Sequence, residues 1–256
     1  WTELVDYATK LTNDKRFGVG IALNSGSAQW AFTGFSLQNC TNGVGLMSAD
    51  GKQVFFDTPE NVEALQLWLD LQNKYKAMAP GIVQWTDLPA QFLAGEVAMI
   101  YHTTGNLTNI RKNATFDFGV SFLPAGRQYG APTGGGNFYI TNGISPERQA
   151  AAWRFIRFCT TTEKAAQWSI DTGYVATRES SYETELLKNY YADFPQALVA
   201  YEQLPNAQPE LTTYNAAQMW RILNDNIQAA VTGEMTAEEA LKTAQEQGDE
   251  LLADYQ

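Results

Sequence analysis

The run Phe92-Leu-Ala-Gly-Glu-Val-Ala-Met-Ile-Tyr-His-Thr-Thr-Gly105 constrains this chain most, because it reads as a helix end, a glycine stop, a buried strand and a polar turn in immediate succession. Gly95 suits the position just past a helix, where a positive φ costs glycine little. Val97-Ala-Met-Ile100 then supplies an apolar strand that ends at His102, Thr103, Thr104 and Gly105. Leu107 to Arg111 returns to helical spacing. A strand that ends in Thr-Thr-Gly ahead of a helix offers hydroxyls and backbone N–H groups, which suits an oxygen-rich ligand.

The same alternation of elements runs through the chain and predicts an α/β fold. Leu4, Val5, Ala8 and Leu11 have helical spacing, and Phe17 to Leu23 reads as a short buried strand that ends in the turn Asn24-Ser-Gly-Ser27. Val54-Phe-Phe56 is a second strand candidate. Asp57-Thr-Pro-Glu60 is a helix start, with proline in the first turn and acids near the positive helix end; Val62, Leu65 and Leu69 give that helix its inward face. Ser145-Pro-Glu147 opens a helix whose apolar stripe is Ala151, Ala152, Phe155 and Cys159, and Thr162-Glu163 starts the next; both read as core-facing. Beyond Tyr174 the pattern is almost wholly helical, and Thr236-Ala-Glu-Glu239 matches a capping box ahead of Ala240, Leu241, Ala244 and Leu251.

Bulk properties exclude several classes. A chain of 256 residues, 45% hydrophobic, can bury a sizeable core as one large or two modest domains. A net charge of -11, with no Lys/Arg cluster, argues against binding nucleic acid. No apolar run reaches the length of a membrane span. Cys40 and Cys159 permit one disulfide at most, and Cys159, set among Phe155, Ile156 and Phe158, reads as a buried thiol. The single His102 leaves no Cys/His cluster of ligand spacing, so no metal site is expected. No cofactor is expected either: Gly134-Gly-Gly136 is not followed by the Gly-Lys-Ser/Thr of a phosphate-cradling loop.

Phe92-Leu-Ala-Gly95 with Ala98-Met99, Phe118-Gly-Val120 with Leu123-Pro124, Gly134-Gly-Gly136, Thr172-Gly-Tyr174, and Thr232-Gly233 followed by Glu238-Glu-Ala-Leu241 form an ordered set. In that order and spacing the chain resembles the solute-binding proteins of ABC importers, in the sugar-binding branch with the maltose-binding and glycerol-3-phosphate-binding proteins, and it is most similar to the latter. The resemblance implies a two-lobed, type II periplasmic-binding-protein architecture. Of it, this chain would supply one nearly complete C-terminal lobe, from residues 1–130 and 174–256, and a returning segment of the N-terminal lobe, 131–173. It further implies that the sequence is a C-terminal portion, and that the protein is exported to the periplasm or cell envelope by a leader not present here.

Site residues follow from the resemblance position by position. Trp30 is similar in position to a cleft-lining aromatic, and aromatic faces stack on sugars and polyols; a core tryptophan is the structural alternative. Trp85 is a further candidate of that type. Thr103 matches a position where a small hydroxyl residue meets ligand. Gly135 matches a glycine whose N–H approaches ligand, where a Cβ would crowd the site. Tyr174 matches a tyrosine whose hydroxyl reaches ligand, with packing between lobes as the alternative. The branch carries a phosphate-binding arginine on its late helix, and gap-free matching places Trp220 there, with Arg221 one residue on and turned by about 100°. Losing that bidentate cation favours a neutral sugar or polyol over glycerol phosphate.

The implied function is a monomeric, non-catalytic receptor that captures a carbohydrate or glycerol-phosphate-type solute by hinge closure and delivers it to the membrane subunits of an importer. The rival is a carboxylate-dependent glycoside hydrolase, for which the chain offers no preferred carboxylate pair at strand ends. A serine hydrolase would need a Gly-x-Ser-x-Gly elbow, a frame that Ser25-Gly-Ser27 lacks.

Overall fold

The computed structural model describes residues 1–24 and 26–255; Ser25, within the Asn24–Ser27 turn, and Gln256 lie outside them. In chain order the helices are α1 (Thr2–Leu11), α2 (Ala28–Asn39), α3 (Pro59–Asn73), α4 (Leu88–Leu93), α5 (Leu107–Asn113), α6 (Pro146–Cys159), α7 (Thr162–Thr172), α8 (Glu185–Asp193), α9 (Leu198–Gln203), α10 (Ala216–Val231) and α11 (Ala237–Leu252). The strands are short: β1 (Gly20–Ile21) pairs in parallel with β2 (Ile100–Tyr101), and β3 (Ala131–Thr133) in parallel with β4 (Ala207–Pro209).

The residues group into two compact units. Unit 1 comprises 1–102, 123–134 and 205–256; unit 2 comprises 103–122 and 135–204. These differ from the boundaries read in the sequence, since 103–122 and 174–204 join the 135–173 segment. The reason lies in packing. Leu187, Tyr190 and Phe194 on and after α8 share a small core with Leu107 of α5, Ala166 of α7 and Ala176, so the helical tail is not one block.

Unit 1 is built around α2, in which every residue except Trp30 is buried. A helix buried all round must be covered on all sides. Trp68 of α3 meets Phe32 and Phe35 edge-on, with ring centroids 5.4 and 5.3 Å apart, and α10 and α11 add Met219, Leu223, Ile227, Leu241 and Ala244 to the same core. Ser27 makes no side-chain cap to α2; instead Asn224 Oδ1 of α10 accepts from the Gln29 N–H at 2.9 Å. An orphan donor of the first turn is thus satisfied from across the unit.

Local signals hold where their partners are local. Thr58 caps α3, Ser145 caps α6, and Thr236 with Glu239 forms the full reciprocal box on α11. Gly95 follows α4 with φ +74°. The strand readings shrink. Phe17 N donates to Glu96 O and Ala98 N to Phe17 O, so pairing begins at the predicted segments, but the ladder itself is confined to Gly20–Ile21 and Ile100–Tyr101. Val54–Phe56 forms only a bridge, Val54 to Met47. Phe55 N donates to Leu46 O at 2.9 Å, and side chains serve the rest: Gln245 accepts from Phe56 N at 2.7 Å and donates to Val54 O at 3.0 Å, while Asn61 donates to Phe55 O at 2.6 Å. Amide side chains here replace a neighbouring strand.

Two expectations fail in unit 2. No residue of α6 is buried, and the stripe read as core-facing leaves Phe155 in solvent. Cys159, at the end of that stripe, is half-buried and a free thiol, whereas Cys40 of unit 1 is the buried one. Among the described residues the stripe is met only at points, by the Phe138 ring edge-on against Phe155 at 6.0 Å and by Lys164 Nζ over the Phe158 ring at 5.3 Å, which do not bury it. Helix α7 does face inward, through Ala165, Ala166 and Ser169.

Candidate functional site

Unit 1 presents an aromatic corner at the end of β2. Trp30, the half-buried exception on α2, meets Trp85 edge-on at 5.4 Å and Tyr101 at 6.0 Å. Trp85 in turn lies over the His102 ring, with centroids 3.8 Å apart. The loop that carries Trp85 is fixed at both ends of that residue: its N–H donates to Asn24 Oδ1 at 2.8 Å, and its carbonyl lies 3.1 Å from His102 Nε2. A carbonyl only accepts, so Nε2 carries the proton in this arrangement. Gly134 passes beside Trp30, where an added Cβ would stand 3.2 Å from the indole Nε1.

Tyr101 is the floor of the corner. Burial pushes its hydroxyl far above the ordinary tyrosine value, partly offset by a hydrogen bond from Gln38, so the phenol stays neutral. Trp220 lies on α10 of unit 1, one helical turn before the Asn224 that accepts from Gln29 N. Its indole N–H donates to Leu211 O, which leaves the half-buried ring to act through its face and apolar edge. Arg221 is exposed. One residue before Leu211, burial raises the Glu210 carboxyl above its usual range.

Unit 2 holds a hydroxyl-bearing corner. Thr103 precedes a short 3-10 turn, Thr104–Asn106, and its Oγ1 accepts from Gly105 N at 3.2 Å. Tyr174 lies flat against that glycine: a Cβ at Gly105 would come 2.4 Å from Tyr174 Cζ. Any side chain at 105 would displace the ring. Tyr174 itself follows Gly173, which ends α7 in the left-handed conformation, and its carbonyl accepts from Ser169 Oγ at 2.6 Å. The hydroxyl end of the ring lies against Gly105, and the residue as a whole remains 39% exposed.

The sequence-predicted residues thus fall into separate groups. Trp30 joins Trp85 in unit 1, and Thr103 joins Tyr174 in unit 2 through Gly105. Gly135, in unit 2, has φ +145° and open space where a Cβ would be, so its backbone, not crowding, requires glycine. Trp220 and Arg221 belong to unit 1. Sequence reasoning missed two contributors. His102 entered only as a lone potential ligand, and its stacking on Trp85 depends on two loops that no spacing rule connects. Gly105 was visible as the end of Thr-Thr-Gly, but its role depends on a tyrosine far along the chain. The two corners offer aromatic surface and hydroxyl groups; among the described residues no three His, Cys, Asp or Glu side chains group as metal ligands.

Comparison with known proteins sets these corners in context. Residues 1–196 match the family model of bacterial extracellular solute-binding proteins. The sn-glycerol-3-phosphate-binding periplasmic protein UgpB of Salmonella paratyphi A is 28% identical over 274 residues; the match covers 100% of this chain and 60% of that protein. The Escherichia coli K12 UgpB is 27% identical with the same coverage. This chain therefore spans about three-fifths of the length of its curated relatives. Among solved structures, UgpB from Mycobacterium tuberculosis in complex with glycerophosphocholine superposes with a TM-score of 0.85 at 24% identity, over 100% of this chain and 63% of that one. Maltose-bound MalE3 of T. maritima gives 0.86 at 24% identity, over 98% and 65%. These likenesses establish the fold as the periplasmic-binding-protein type, of which this chain is a part.

Proposed function

This chain belongs to the bacterial extracellular solute-binding protein family, and from that premise we propose that the complete protein captures an oxygen-rich solute outside the cytoplasm and delivers it to the membrane subunits of an ABC importer. The solute class is a carbohydrate, a polyol or a glycerol-phosphate compound, and capture proceeds by hinge closure. The observation that carries this reading is the Trp30–Trp85 corner: an aromatic pair, held by Asn24 and His102, that offers indole surface to the apolar face of a sugar or polyol. Thr103 and Tyr174 in unit 2 supply hydroxyls for orientation, and Gly135 a backbone N–H. Residues of unit 1 are assigned to the C-terminal lobe and those of unit 2 to the N-terminal lobe.

Within that class a neutral sugar or polyol is favoured. Trp220 has its N–H engaged and adds a ring, and the guanidinium of Arg221 is one helical step away from it. A glycerol-phosphate solute is the second reading, favoured by the relatives whose names specify it. The chain is read as non-catalytic, in keeping with a family of binding proteins, and the glycoside-hydrolase alternative finds no support among its relatives.

Calorimetry on the complete protein with maltose, ribitol, sn-glycerol-3-phosphate and glycerophosphocholine tests the proposal. Trp30→Ala should weaken the bound solute by about 1–3 kcal/mol. Trp220→Ala should cost more than Arg221→Ala if the solute is neutral; the opposite order, with phosphate-bearing solutes preferred, establishes the second reading. No binding of any of these solutes would sink both.

A further inference from the structure

The β3–β4 ladder brings a carboxylate to the tryptophans of unit 1. Pro132 and Gly134, two residues apart on one strand, share a face that lies against α2. Pro132 Cδ is 3.0 Å from where a Cβ would stand on Gly34, and Trp30 Nε1 is 3.2 Å from where one would stand on Gly134. Gly34 and Trp30 are themselves one turn apart on the helix. Pro132 pairs with Gln208 and Thr133 with Pro209, so the same register, continued by one residue, sets Gly134 opposite Glu210. Partners in register send their side chains to the same face of a sheet, which directs Glu210 to the face where Trp30 lies.

Trp220 reaches this place from α10. Its indole N–H donates to the carbonyl of Leu211, the residue after Glu210, and it lies one turn before Asn224, which accepts from Gln29 N beside Trp30. Glu210 is thus flanked by one half-buried indole across the ladder and by another along the strand. Among the described residues its half-buried carboxylate has no hydrogen-bond or ion-pair partner, and burial alone raises it, with no cation acting on it. An acceptor withdrawn from water without a donor costs free energy that a bound hydroxyl recovers.

We propose that Glu210 is a solute-binding and specificity-determining residue: its carboxylate accepts hydrogen bonds from the hydroxyls of a neutral sugar or polyol seated on the Trp30 and Trp220 rings, and it repels phosphate-bearing solutes. The inference rests on the solute-capture function proposed above. An ionised carboxylate only accepts, so it matches a hydroxyl and opposes a phosphate, and repulsion contributes to selectivity alongside attraction.

The test is calorimetry on the complete protein with maltose, ribitol, sn-glycerol-3-phosphate and glycerophosphocholine. The parent should prefer maltose or ribitol to either phosphate-bearing solute. Glu210→Gln keeps the side-chain shape and has no partner to lose among the described residues, yet it should weaken the neutral solute at least about fivefold. Glu210→Lys should weaken the neutral solute further and bind sn-glycerol-3-phosphate more tightly than the parent does. A parent that prefers a phosphate-bearing solute overturns the proposal, as does a smaller loss in Glu210→Gln, or a loss by equal factors for neutral and phosphate-bearing solutes, the mark of a structural role. Two failures separate cleanly. A parent that binds none of the four removes the proposed function and this inference with it, whereas neutral-solute binding that is indifferent to Glu210→Gln keeps the function and removes the inference alone.

Discussion

The two units treat the same kind of residue in opposite ways. Unit 1 places Trp68, Phe32, Phe35 and Phe56 wholly inside, whereas unit 2 leaves Trp153, Phe155, Phe158 and Trp168 more than half exposed. Helical spacing does not separate the two cases, since α3 and α6 both begin at a capped Ser/Thr-Pro and both carry apolar stripes. What separates them is a second layer. In unit 1, α2, α3, α10 and α11 close over one another, so each stripe finds a partner. Periodicity specifies that a face is apolar; it does not supply what covers it.

Substitutions at four positions break or sharpen this contrast. The largest effect belongs to Trp68→Ala, which empties the centre of unit 1 and should cost about 3–5 kcal/mol in denaturant unfolding. A loss under about 1 kcal/mol would mean that unit 1 is no better packed than unit 2. Trp68→Phe should be far milder, because the indole N–H finds no partner in its buried site. Next, Asn224→Ala removes the acceptor for the Gln29 N–H and leaves that donor stranded, a cost of about 1–3 kcal/mol. If unit 1 were held by local caps alone, this change would be silent in thermal melts.

The remaining two effects are small. Phe155→Ala should shift stability by no more than about 0.5 kcal/mol, as for an exposed side chain. A loss of about 2 kcal/mol or more would mean that the stripe is covered and would remove the distinction. Glu210→Gln probes electrostatics. Burial raises the folded-state carboxyl above its unfolded value, so between the two the folded chain holds the extra proton and stability falls as pH rises. The variant should lose that slope and be slightly more stable near neutral pH, by less than about 0.5 kcal/mol because the group is half in solvent. A variant less stable at pH 7 than at pH 4, relative to the parent, would reverse the sign.

Of the candidate site, the residue types were legible and their neighbours were not. Trp30, Thr103, Gly135 and Tyr174 stand out through a family resemblance carried by short motifs, but the resemblance says nothing of Trp85 lying over His102, or of Gly105 lying under Tyr174. Those pairs join loops distant in sequence, and no local spacing encodes them. The strands were read too long for a related reason: Val54–Phe56 has strand composition, but beyond the Phe55 N–Leu46 O bond its hydrogen bonds go to Gln245 and Asn61.

The starts of α3, α6 and α11 needed nothing beyond the sequence, because a cap closes within four residues. Thr58 accepts from Asn61 N, Ser145 from Arg148 N and Thr236 from Glu239 N, and each start was readable for that reason. Burial, strand extent and the two corners belong to tertiary structure alone. Gln29 is satisfied from 195 residues away and Phe56 from 189, and whether a stripe is core or surface depends on a layer the helix does not itself contain. Short-range hydrogen bonds leave a signature in neighbouring residues; the free energy of covering a face resides in whichever part of the polypeptide arrives to cover it.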